Sequence, residues 1–193
     1  MTTDPPGTAV DWVTVEAALQ DQVVRLVHEV RRDRPTDRVY GAAIHELYAE
    51  QGGVIAWPLV GVGTEGALDS LVEESAADGG SMVVPPEVLR WDTAAWPDQL
   101  DPGEAERTLA ARVEAAAVAD GGHGWDTVHE RFLLAVVRAC RAASRELVAD
   151  GSVDADVVVV AMDEAWELVP QSLDADQVRR HFPEIADGPR LRS

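Results

Sequence analysis

Apolar positions recur along this chain in two rhythms, one helical and one extended. Between Thr14 and Asp33, Val15, Leu19, Val23, Leu26 and Val30 fall at steps of three and four residues, which puts them on one face of a helix. Thr14 is placed to cap it, Arg31, Arg32 and Arg34 complement the macrodipole at its end, and Pro35 blocks continuation. A second helix is predicted from a Thr64 cap to about Ala77, with Ala67, Leu68, Leu71 and Val72 inward and Gly79-Gly80 ending it. A third starts at Asp101-Pro102-Gly103-Glu104, where a capping Asp, an early proline and a Glu three residues on coincide, and runs to about Ala119. The longest opens on a capping box of Thr127 with Glu130 and continues to about Ala149 on the stripe Val128, Phe132, Val136, Cys140, Ala143 and Leu147. A last helix is predicted over about Asp174 to Phe182.

The extended rhythm appears twice. Val39 to Tyr48 and Val54 to Val62 read as strands around a Gln51-Gly52-Gly53 turn, a hairpin over 39–62 in which Pro58 favours an edge position or a bulge. Ala155 to Met162 holds the unbroken run Val157-Val158-Val159-Val160, the pattern of a strand covered on both faces, and predicts a central strand over 155–162. Ser81 to Leu100 is irregular: Met82-Val83-Val84 and Val88-Leu89-Arg90-Trp91 flank Pro85-Pro86, and a short helical turn fits before Trp96-Pro97. The order predicts an α+β fold, with five to six helices packed on a small, mostly antiparallel sheet. One domain over 12–183 is expected, between a flexible leader over 1–11 and a loose C-terminal tail over 184–193.

Composition changes the picture in its electrostatics. The chain has no lysine and no asparagine; 16 arginines face 35 Asp and Glu, for a formal charge of −19. Lysine Schiff-base chemistry, a P-loop lysine and Asn-linked glycosylation are excluded. The scarcity of residues with A-rich codons points to a high-GC bacterial genome. A surface of this sign repels phosphate backbones and anionic lipid, so neither nucleic acid nor membrane is expected as a partner. The single cysteine, Cys140, excludes an internal disulfide and reads as a small buried hydrophobe. Met1 to Asp11 has no signal-peptide pattern, and the expected address is the cytoplasm.

Candidate chemistry is sparse. Gly61-Val62-Gly63-Thr64 lacks the third glycine and the lysine of a phosphate loop and reads as a tight turn into a capped helix. His123, Asp126 and His129 match no common metal-ligand spacing, and no metal or cofactor is expected. His45 and Glu46 adjoin on a strand, which sends their side chains to opposite faces. Asp163-Glu164 follows the predicted central strand, where a strand hands side chains to a cleft. A solvated turn is the plainer reading of the pair, and a carboxylate site for a divalent ion or a basic side chain the sharper one. Trp91 and Trp96, five residues apart, share a face only if the chain turns between them, and read first as core pegs with tethered N–H groups.

Three stretches together resemble the bacterial domain-of-unknown-function family DUF4303. They are Val39-Tyr40-Gly41-Ala42-Ala43-Ile44 with Gly63-Thr64-Glu65-Gly66-Ala67-Leu68, similar to an aromatic strand before a T-E-E-G-L helix start; Arg90-Trp91-Asp92-Thr93-Ala94-Ala95-Trp96, similar to R-W-S-x-x-x-W; and Met162-Asp163-Glu164-Ala165-Trp166-Glu167-Leu168 with Gln171-Ser172, similar to an acidic S-D-S-D-D segment. The resemblance runs from about Trp12 to Phe182 and implies an α+β fold and no catalytic residues. His45-Glu46 and Ala165-Trp166 depart from the family's pattern, and the second departure weakens a metal site at that turn.

The leading expectation is a non-enzymatic, acidic protein-interaction domain of the immunity type, binding a basic toxin domain whose approach its charge would speed. The alternative is a small metal-assisted hydrolase using Asp163, Glu164 and His45; a DNA mimic ranks third. The candidate cleft comprises Asp163, Glu164, His45, Arg90, Trp91 and Trp96: convergence of Asp163, Glu164 and His45 there, with Arg90 or Trp91 lining it, would favour the hydrolase, and acids scattered over a convex face the binder.

Overall fold

A computed structural model describes residues 10–77 and 84–186. Helix α1 spans Trp12–Asp33 and buries the expected stripe. Its cap is Asp11, not Thr14: the Asp11 carboxylate accepts from the Val13 and Thr14 N–H groups, and Thr14 Oγ1 donates to it at 2.7 Å. A carboxylate at the N-terminus also meets the positive end of the helix dipole, which a hydroxyl does not.

Strands β1 (Val39–His45) and β2 (Leu59–Thr64) form the antiparallel hairpin, with shorter ladders than the sequence suggested. Residues 46–58 leave the ladder at Glu46, which adopts a left-handed φ of 55°. Their tip still folds back at Gln51-Gly52-Gly53 through the Ala49–Ile55 bridge. Pro58 precedes β2, and β2 is flanked on both sides; the bulge lies instead in β1, between Val39 and Gly41. That bulge turns both Tyr40 and Gly41 to one face. From there strict alternation carries Ala43 and His45 to the same face and Ala42 and Ile44 to the other.

Helix α2 (Glu65–Ala77) follows β2 directly, and Thr64 Oγ1 accepts from the Ala67 N–H as a cap. Gly61-Val62-Gly63-Thr64 is therefore strand, not a turn. The expectations for Gly79-Gly80 and Met82-Val83, and most of the leader and tail, lie outside the described residues. After a single helical turn, α3 (Pro86–Leu89), and a 3-10 turn at Thr93–Ala95, a short strand β3 (Asp98–Leu100) pairs antiparallel with β2. Helices α4 (Glu104–Val118) and α5 (Trp125–Ala149) begin after Gly103 and Gly124 without side-chain caps; Asp101 and Thr127 do not serve as the caps expected of them. Strand β4 (Val158–Ala161) precedes α6 (Val169–Ser172), α7 (Ala175–His181) and α8 (Pro183–Ala186). Helix α7 carries the capping box of Asp174 with Gln177, and α8 extends helical structure into the segment expected to be tail.

The fold is α+β, and among the described residues it has eight α-helices, three of them single turns. The sheet order is β3-β2-β1-β4, mixed in sense because β4 runs parallel to β1. The expected central strand is thus an edge strand. Its apolar run reflects coverage of both faces, not position in the order. One face carries Val157, Val159 and Ala161 into the core on the side of α5, and the other carries Val158 and Val160 against Val169, Leu173, Val178 and Phe182. The open edge is closed by side chains: Ser172 Oγ accepts from the Ala161 N–H at 3.1 Å, and Gln177 Nε2 donates to the Val157 carbonyl. No helix among the described residues is long and apolar enough to cross a membrane.

Candidate functional site

The second face of the sheet carries an aromatic wall. Gly41, Gly61 and Gly63 point to this face, and rings occupy the space their missing side chains leave. A Cβ at Gly63 would fall 2.5 Å from Tyr40 Cζ, one at Gly41 2.9 Å from Trp91 Cζ3, and one at Gly61 3.1 Å from Trp96 Cε3. The 3-10 turn at Thr93–Ala95 brings Trp91 and Trp96 onto one side, with ring centroids 6.2 Å apart and each packed edge-on against Tyr40. The Arg90 carbonyl accepts from Tyr40 Oη and from Trp96 Nε1. The Arg90 guanidinium forks onto both Glu65 oxygens, at 3.1 and 2.9 Å, and lies 4.4 Å above the Tyr40 ring. This residue pins the tryptophan segment to the sheet.

Beside the wall, at the carboxyl ends of the parallel strands β1 and β4, lies a cleft of about 1250 Å³. Strand ends of this kind open crevices because the chains diverge there into different loops. His45, Arg90, Trp91, Asp163 and Glu164 all line it; Trp96 does not, being buried behind Trp91. Five of the six sequence candidates therefore share one concavity. Glu46 lines it as well, against the opposite-face expectation: the strand ends at His45, and the left-handed turn at Glu46 breaks the alternation. Trp166, at φ 60°, is the other non-glycine residue in that conformation among the described residues, and it too lines the cleft. Each such residue costs about 1–2 kcal/mol, and strain of this type gathers at binding sites.

The floor is apolar, with Leu47, Trp91, Met162 and Trp166, and the lining carries six carboxylates against two guanidiniums. Since Glu65 neutralises Arg90, the cleft is strongly negative. Asp163 is partly committed to the backbone: its Oδ1 accepts from the Leu168 N–H at 2.9 Å, closing the turn after β4. Among the described residues no three His, Cys, Asp or Glu side chains converge to hold a metal ion. His129 stacks on Trp125, with centroids 4.6 Å apart, at the opening of α5. Cys140 is fully buried, and burial pushes its thiol pKa up, as expected of a core residue.

His45 is 3% exposed, and burial pulls its pKa below the ordinary imidazole value, against the opposing pull of its Gln99 hydrogen bond and the Glu46 charge. Its Nε2 lies 2.8 Å from Gln99 Oε1. Burial also lowers the pKa of His181 across the cleft lining, helped by Arg180 and Arg90; its Nε2 is buried without a hydrogen-bond partner. Gln99, Trp166 and His181 were not among the site residues the sequence singled out. Gln99 acts from a three-residue strand with no periodicity to mark it, and His181 sits in the basic last turn of α7, where a helix-end role was sufficient explanation.

Compared with protein-family models, curated proteins and solved structures, the chain matches none.

Proposed function

We propose that this protein is a binding module whose cleft takes a basic, partly apolar segment of a protein partner. The observation that carries this reading is the pairing of an aromatic and aliphatic floor with a lining of six carboxylates in one concavity. An apolar floor supplies the desolvated contact area, and the negative lining selects the sign of the ligand and speeds its approach. The formal charge of −19 extends that field beyond the cleft. The immunity-type role, neutralising a basic toxin domain, is the form of this reading that fits the charge best. The metal-assisted hydrolase gains from the shared cleft but lacks a converging ligand set among the described residues, and Asp163 already serves the turn.

The test is a titration of isotope-labelled protein with a short peptide alternating arginine and leucine, at physiological salt of about 0.15 M. Shifted backbone amides are expected to cluster around residues 45–49, 90–94 and 162–166. A Glu46→Gln/Glu164→Gln double variant is expected to bind about tenfold more weakly, two exposed carboxylates each contributing ~0.7 kcal/mol. Shifts spread over the whole acidic surface, or affinity unchanged in the double variant, would show that charge alone attracts the peptide.

A further inference from the structure

The orientation of the Gln99 amide can be settled without reference to hydrogens. One end of it faces two backbone carbonyls, Thr93 O at 2.7 Å and Trp96 O at 3.0 Å, and only an NH₂ group can meet both. The other end, Oε1, is then an acceptor, and the His45 Nε2 that meets it at 2.8 Å must carry a proton. A neutral imidazole protonated at Nε2 holds its lone pair on Nδ1. That nitrogen takes no hydrogen bond from the described residues, although the side chain is 97% buried by its 3% exposure and lines the cleft. The 3-10 turn between the tryptophans thus also sets, through Gln99, which ring nitrogen of His45 carries the proton.

We infer that His45 Nδ1 is the cleft's fixed hydrogen-bond acceptor, and that the ligand group it receives is the guanidinium of an arginine. This rests on the basic-segment reading above and names the side chain that enters. A fixed neutral acceptor selects a donor, and the surrounding carboxylates require that donor to be cationic. Between the two basic side chains, the planar guanidinium offers five donors, enough to meet a carboxylate and an imidazole at once, and it lies favourably on aromatic surface such as Trp91 and Trp166. A lysine ammonium keeps more of its hydration and has no flat face. Buried polar atoms are ordinarily satisfied; the enclosed side-chain atoms without a partner among the described residues are His181 Nε2, in the same lining, and Gln22 Nε2, outside it, and His45 Nδ1 is not one of them.

The probes are N-acetyl-arginine methylamide and its lysine and citrulline counterparts, with long-range ¹H–¹⁵N spectra of the histidine rings as readout. The unliganded protein is expected to show His45 protonated at Nε2 and bare at Nδ1. The arginine compound is expected to move the Nδ1 resonance and to bind about tenfold more tightly than either counterpart, the increment of one hydrogen bond to a charged donor. Gln99→Leu, at an exposed position that leaves the core intact, is expected to release a mixture of tautomers and to remove most of that preference. A proton on Nδ1 in the free protein, or equal binding of the lysine compound, overturns the inference. Movement of the cleft's backbone amides with the His45 nitrogens unmoved also overturns it, while leaving the basic-segment reading in place. If neither the arginine compound nor the arginine–leucine peptide moves any cleft resonance, both fall.

Discussion

Three strand glycines decide how close the aromatic wall can stand to the sheet. Side chains at Gly41, Gly61 and Gly63 would occupy the volumes now filled by Trp91, Trp96 and Tyr40. The tightest is Gly63, where a Cβ would collide with the Tyr40 ring itself, and Tyr40 cannot retreat without losing its hydrogen bond to the Arg90 carbonyl and its contact with both tryptophans. Gly63→Ala is therefore expected to destabilise the fold by about 1–3 kcal/mol, the usual cost of overpacking. Urea denaturation would read this as a lower midpoint at unchanged slope. Gly53→Ala, whose Cβ would have no neighbour closer than 3.6 Å, is the matched control and should cost much less. In the sequence Gly61 and Gly63 read as a tight turn, and Gly41 as an ordinary strand position. Glycine inside a strand has the second meaning of a close approach, but the ring that approaches belongs to another element, Tyr40 of β1 for Gly63 and the tryptophan segment for Gly41 and Gly61, which local spacing does not register.

At the scale of elements, periodicity recovered what lies on one face of a helix or strand and missed what is settled between them. The stripes of α1 and α5 are buried as their spacing required, and the Val157–Val160 run is covered on both sides. Its place at the sheet edge was hidden because outer backbone groups at its two ends, the Ala161 N–H and the Val157 carbonyl, are met by Ser172 and Gln177, side chains from the helices that follow, and not by another strand. Ser172 Oγ accepts from the Ala161 N–H while donating back toward the Leu168 or Val169 carbonyl, and the residue is 4% exposed. Ser172→Ala should leave the Ala161 N–H buried without an acceptor and cost about 1–3 kcal/mol. The Ala161 amide should also exchange with solvent deuterium much faster relative to Val160, whose N–H lies inside the ladder. Equal protection of both amides in the variant would mean that another group or a water closes this edge.

The cleft belongs to the molecule as a whole, since its lining comes from the ends of β1 and β4, the tryptophan segment and the turns around α7. Sequence reasoning reached His45, Asp163, Glu164, Arg90 and Trp91 because strand ends and aromatic clusters are visible in one dimension. It could not reach the Gln99 bond that sets the His45 tautomer, because that depends on a turn folding over a strand end. The same burial gives the whole protein a pH response. His45, His129 and His181 are each held below the ordinary value of 6.5, with burial the leading cause in every case. As pH falls through 6.5 the unfolded chain takes up protons that these native imidazoles still refuse, so the unfolded state binds more and stability declines. The decline runs from the ordinary imidazole value down to the lowered native ones and flattens once the native rings protonate; above about pH 7 these groups contribute no slope. Acidification also relieves repulsion among 35 carboxylates, which acts in the opposite direction. Free carboxylates ordinarily titrate near 4, below this interval, and salt screens repulsion among surface charges far more than it screens a buried ring. At high salt the melting temperature is therefore expected to fall between about pH 7 and 5.5. His45→Gln, which retains a donor for Gln99 Oε1 without a titrating ring, should shallow that fall. A melting temperature that holds level or rises over this interval would mean that the histidines are as easily protonated in the folded chain as in the unfolded one, and that His45 is no neutral acceptor at the cleft.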